Sequence, residues 1–166
     1  LAINRGSVEI HGGQIVGGTV SQNGSAIWNK RYCRVTVSGG SVTGSIYITG
    51  DDERNAALTV AGGTVSGDIL VQDKVDVTVS GKPVITNLDL TGGKTITLGE
   101  LETGADITVT ADNGPFTAVN AKAEQYLGCF HIATDKKITA EGNQLVVGDK
   151  TAEPDPTPEP FDCPHC

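Results

Sequence analysis

Apolar and polar residues alternate along this chain in short runs broken by paired glycines, and one phrase keeps returning. Val8-Glu9-Ile10-His11-Gly12-Gly13-Gln14-Ile15-Val16-Gly17 comes back as Val35-Thr36-Val37-Ser38-Gly39-Gly40-Ser41-Val42-Thr43-Gly44, then as Leu58-Thr59-Val60-Ala61-Gly62-Gly63-Thr64-Val65-Ser66-Gly67. Shorter copies begin at Val77 and Ile96, so successive copies start 27, 23, 19 and 19 positions apart. Within a copy the alternation has the period of a strand, which sends Val35 and Val37 to one side and Thr36 to the other. The Gly-Gly pair turns a corner, where positive φ is easy only for glycine. Val42 then starts a second edge, Gly44 turns again, and Ile46-Tyr47-Ile48 makes a third strand. The next copies repeat the plan with Leu58-Thr59-Val60, Val65 and Ile69-Leu70-Val71, then with Val77-Thr78-Val79, Val84 and Leu88-Asp89-Leu90. Three short strands per turn of about 20 residues predict a right-handed parallel β-helix, a solenoid whose coils bury their apolar sides against one another. A β-sandwich also uses short strands and Gly-rich turns, but it gives no reason for one phrase to recur in register.

The coils are expected over residues 1–100, with Ser21 to Lys30 and Asp51 to Asn55 as insertions that become loops on the flank. After Leu101 the phrase dissolves. Ile107-Thr108-Val109 still reads as a strand, and Asp112-Asn113-Gly114-Pro115 is a turn signal. Ala121 to Leu127 carries helix propensity. Phe130-His131-Ile132, Ile138 and Leu145-Val146-Val147 read as closing strands, with a turn at Gly142-Asn143. Residues 101–149 are therefore expected to cap the open end of the solenoid. Residues 150–160 alternate proline with acidic residues and read as an extended linker. Residues 161–166 read as the start of a following Cys-containing module, and both ends as cuts from a longer polypeptide.

Composition sharpens this picture. With aromatic residues at 4% and no methionine, the core must come from Val, Ile, Leu and Thr, which suit closely stacked strands. A formal charge of -8 argues against nucleic acid and against an anionic membrane surface as partners. No apolar run approaches the roughly 18 residues of a membrane span, so no insertion is expected within this segment.

Val8 to Gly17, Val35 to Gly44, Leu58 to Gly67 and Leu88-Asp89-Leu90-Thr91-Gly92-Gly93-Lys94-Thr95-Ile96-Thr97 together resemble the repeat-rich, adhesin-like surface proteins of Gram-positive gut bacteria. In that family parallel β-helix segments alternate with short Cys-containing joints, and Phe161-Asp162-Cys163-Pro164-His165-Cys166 looks like the opening of such a joint. The resemblance implies an extracellular stalk or adhesin on the bacterial surface. Its partners would be further modules of the same polypeptide, and glycans or a host surface. End-to-end self-association is a further expectation for a solenoid.

Candidate chemistry is sparse, and a non-catalytic role is expected. Glu9, Thr36, Thr59, Thr78 and Thr97 should form an outward rank on the first strands; such a rank orders water, but a single row is a poor ice-binding surface. Tyr47, Leu70 and Asp89 point outward on the third strands. Trp28, the one tryptophan, either covers the coil edge or joins Tyr47 as an aromatic platform for a sugar ring. With Asp51, Asp52 and Asn55 in the neighbouring loop, these residues form the candidate ligand-binding set. A polysaccharide lyase or hydrolase would need paired carboxylates or a metal with a base. Asp68 and Asp89 share a flank but have no aligned Arg, Lys or His. The acidic loop offers oxygens for Ca2+, yet the Gly-Gly-x-Gly-x-Asp calcium repeat is missing. Cys163 and Cys166 make half of a zinc site or an inter-module disulfide. Cys33 and Cys129 are either buried thiols or a bond between the closing unit and the solenoid.

Overall fold

The computed structural model describes residues 1–3, 5–18, 26–29, 31–51, 53–132 and 135–150. Asp52, the linker from residue 151 onward, Cys163 and Cys166 lie outside the described residues. In chain order the elements are β1 (Ala2–Ile3), β2 (Ser7–Ile10), β3 (Gln14–Val16), β4 (Ile27–Asn29), β5 (Arg34–Val37) and β6 (Ser41–Thr43). Then come β7 (Ile46–Ile48), β8 (Ala56–Val60), β9 (Thr64–Val71), β10 (Val75–Gly81), β11 (Val84–Asp89), β12 (Ile96–Leu101) and β13 (Asp106–Thr110). The chain closes with β14 (Gly114–Pro115), a 3-10 helix (Glu124–Cys129), β15 (Phe130–Ile132), β16 (Lys136–Glu141) and β17 (Gln144–Asp149).

These strands wind into a parallel β-solenoid of about five turns. One wall is the parallel sheet β2-β5-β8-β10-β12. A second sheet runs β1-β4-β7-β9-β11-β13-β15, with β3 and β6 joining it through β9. The repeat sets the register: Val35 stands against Leu58, Leu58 against Val77, and Val77 against Ile96. Behind them Val37, Val60, Val79 and Leu98 form the next inward file. The second edge stacks Val42, Val65, Ile85 and Ile107, and the third strands stack Ile27, Ile46, Ile69, Leu88 and Val109. Every one of these residues is buried. Full burial of such a side chain contributes about 1.5–3 kcal/mol, so each coil is stabilised chiefly by the layers above and below it.

The Gly-Gly corners fix how closely coils approach. Gly63 has φ +76°, and a Cβ there would lie 2.7 Å from the carbonyl oxygen of Gly40 in the coil before. Glycine meets both demands, the left-handed backbone and the backbone-to-backbone contact.

One inward position differs from expectation. Val84 is 37% exposed, and Ile85 takes the inward place against Val65. The corner Gly81-Lys82-Pro83 is one residue longer than its predecessor, which moves the inward role one residue on. The next bend is shorter by one, so Leu88 still faces Ile69.

Past Leu101 the sheet continues: β13 pairs with β11, and β15 pairs with β13. Beside it β14, β17 and β16 form an antiparallel sheet, with β16 and β17 joined at Gly142-Asn143, both at positive φ. Two left-handed residues make the hairpin turn that matches strand twist. The helical stretch expected over Ala121–Leu127 is instead a 3-10 helix starting at Glu124. The outer edge of β12 is occupied: Ile96 N donates to Phe116 O (2.9 Å) and Ala118 N to Ile96 O (2.8 Å). The Asn120 side chain donates to Leu98 O (2.8 Å). Phe116 and Phe130 meet edge to face at 5.6 Å and close the last apolar layer together with Leu145 and Val147.

Candidate functional site

The third strands carry an outward file on the second sheet. Ala2 stands against Trp28, Trp28 against Tyr47, Tyr47 against Leu70, and Leu70 against Asp89. Trp28 is therefore a strand residue of β4, with Ala26 and Ile27 buried before it. It is 43% exposed, and Tyr47 beside it is half-buried. With parallel strands about 4.8 Å apart, two aromatic side chains and a leucine form one apolar strip on a wall whose inner side is packed. The register places Trp28 beside Tyr47 on this outward face.

The loop residues of the candidate set do not all join this strip. Asp51 lies at the corner after β7, where its Oδ1 accepts the amide protons of Glu53 (3.1 Å) and Arg54 (2.9 Å). That carboxylate folds its own loop. Asn55 stands past the corner and donates to Asp76 Oδ1 (3.1 Å) on the other wall. Trp28 and Tyr47 thus form one surface, Asp51 borders it, and Asn55 belongs elsewhere.

At this corner the chain brings together residues that sequence reading did not connect. Arg5, Arg31, Tyr32, Asp51, Glu53 and Arg54 line a cleft of about 360 Å³. The guanidinium carbons of Arg5 and Arg54 sit 5.8 and 4.7 Å from the centre of the Tyr32 ring. These contacts join three coils, and only the repeat register would have predicted them.

A second group also escaped the sequence reading. His11 Nδ1 is 2.7 Å from Ser38 Oγ, and His11 Nε2 is 3.1 Å from Glu9 Oε2. Hydroxyl, imidazole and carboxylate are the types used in nucleophilic acyl transfer. Here all three are exposed and no wall shields them, so the arrangement is a surface network at the Gly-Gly corner. The signal was the pairing of Ile10 with Val37, which places His11 beside Ser38. The rank Glu9, Thr36, Thr59, Thr78 and Thr97 forms in full register on the other wall.

The acids weighed for catalysis are engaged locally. Asp68 Oδ1 accepts from Asn87 Nδ2 and Asp89 Oδ1 from the Thr91 amide, each at 3.0 Å. Among the described residues no three His, Cys, Asp or Glu side chains gather to hold a metal.

Cys33 is buried and Cys129 partly buried, and no disulfide joins them. Cys33 lies between β4 and β5 and Cys129 just before β15, four to five strand spacings on, about 19–24 Å along the axis. A disulfide needs Cα atoms within about 7 Å, so of the two alternatives the tie between closing unit and solenoid does not form. Burial pushes the Cys33 thiol above its ordinary value; at Cys129 burial does so first and the charge of Asp106 adds to it. Near Cys129 the exposed pair Glu100 and Lys122 links the cap to β12. Their hydrogen bond and mutual charge lower the carboxyl pKa and raise that of the ammonium.

Fold and site together define a parallel β-solenoid bearing an aromatic strip and an arginine-lined corner. No protein-family model, curated protein or solved structure matches the chain.

Proposed function

We propose that this chain is a non-catalytic structural and adhesive segment of an extracellular bacterial surface protein. Stacked coils give length and stiffness because each added turn buries its faces against the last. Such a rod holds its flank away from the surface that bears it, within reach of a glycan or a host cell. One observation carries the reading: Trp28, Tyr47 and Leu70 stand in register, facing outward, on a wall with a fully packed inner side. An exposed aromatic strip on a rigid sheet is a contact surface that needs no rearrangement before binding.

The same strip favours a second, narrower reading, a carbohydrate-binding module, because aromatic faces stack on the C–H faces of sugar rings. Beads coated with the protein should adhere to polysaccharide-coated surfaces, and Trp28→Ala and Tyr47→Ala should each reduce adhesion several-fold without altering the fold. Adhesion unchanged in both variants would remove the carbohydrate reading and place the adhesive surface elsewhere. Release of reducing or unsaturated ends from pectic or uronic polysaccharides would replace both readings with an enzyme.

A further inference from the structure

All four arginines of a chain with formal charge -8 fall between residues 5 and 54. Three of them, Arg5, Arg31 and Arg54, come from successive turns of one corner and line a single cleft with Tyr32. Among the described residues none of the three guanidinium groups forms an ion pair or a side-chain hydrogen bond. Tyr32 draws two of them together through its ring face, an attraction that operates without a carboxylate. The planar donors thus remain available to a ligand. A guanidinium fork fits carboxylate and sulfate oxygens two at a time.

The cleft stands at the corner that follows β4 and β7, the strands that carry Trp28 and Tyr47. Trp28 is in β4, which ends at Asn29, and Arg31 follows two residues later at the corner, with φ +73°. Two acids also line the cleft. Asp51 holds the loop that presents Arg54, while Glu53 is an exposed acceptor for hydroxyl protons. Hydroxyl donors and anionic groups on one extended molecule describe an acidic sugar chain better than an acidic peptide, which lacks the hydroxyls and the ring faces.

We propose that the Arg5–Arg31–Arg54 corner is the anion-recognising end of the flank site, and that its ligand is an acidic polysaccharide carrying carboxylate or sulfate groups. The proposal rests on the carbohydrate reading above. Binding of the whole chain to polygalacturonate, dextran sulfate, neutral dextran and polyglutamate tests it, with Arg31→Gln/Arg54→Gln as the site variant and Arg34→Gln as a basic control outside the cleft. At low salt at least one acidic polysaccharide should bind about tenfold tighter than dextran, with the preference fading as salt rises. The polymer preferred tells carboxylate from sulfate. The double variant should lose that preference, keep its weak dextran binding and its melting temperature, and Arg34→Gln should change little. Equal binding of dextran and the acidic polymers overturns this proposal and leaves the carbohydrate reading standing. No binding to any polysaccharide overturns both. An unchanged preference in the double variant, or polyglutamate binding as tightly as polygalacturonate, overturns the assignment of this corner to acidic glycans.

Discussion

Two residues show how tightly the coil geometry constrains side chains. Gly63 combines left-handed φ with a backbone contact that leaves no room for a Cβ, whereas Gly13 has a similar φ, +77°, and nothing within 4 Å. Gly63→Ala should cost about 2–4 kcal/mol and Gly13→Ala about 1 kcal/mol, since only the first adds a clash to the strain. Urea unfolding of the two variants measures the difference, and equal losses would show that backbone strain alone sets the corner. Asn29 presents the opposite case. It is fully buried in the inward file with Ile48, its Oδ1 has no partner among the described residues, and its amide reaches Cys33 O at a long 3.5 Å. An orphaned buried acceptor costs about 1–3 kcal/mol, so Asn29→Val should raise stability by about 1 kcal/mol. A loss of that size would mean the weak bond to Cys33 O matters more than the orphaned oxygen. The sequence hid this residue because a polar side chain stands at an inward place of the alternation, which is also why β4 read as insertion.

Among the elements, the strands with the full phrase were legible from the alternation alone, because a period of two leaves few choices of inward face. Val84 and Ile85 were not, since both are β-branched and apolar and only the length of Gly81-Lys82-Pro83 decides between them. The Arg5–Tyr32–Arg54 group and the contact of Ser38 with the Glu9–His11 pair were hidden for another reason: they join different coils, and cross-coil neighbours emerge only once register is known. The cap covers the end of the solenoid with few residues. Phe116 is 1% exposed and closes the final layer against Phe130. Phe116→Ala should cost about 3–5 kcal/mol and loosen β12 and β13 first. Thermal melting with residue-resolved amide exchange would test this, and uniform loosening along the chain would contradict it.

For the whole molecule, stacking makes stability a sum of neighbour contacts. Among the described residues the outer edges of β2 and β3 have no partner strand, while the opposite end carries the cap. Amide protection should therefore be highest in β5, β8 and β10 and fall toward β2 and β3, with coils fraying from that end. A single cooperative opening with equal protection throughout would contradict a neighbour-by-neighbour stack. The stack also underlies the proposed function, because the strip and the arginine corner exist only while coils hold their register.

Trp28 is the one tryptophan in the chain, so its fluorescence reports on the proposed contact surface without labelling. Titration with an acidic polysaccharide should give a saturable blue shift of the emission as sugar rings cover the exposed indole, and that shift should disappear in Arg31→Gln/Arg54→Gln at the same concentrations. Binding seen by calorimetry with no change in Trp28 emission would place the contact surface elsewhere and contradict the account.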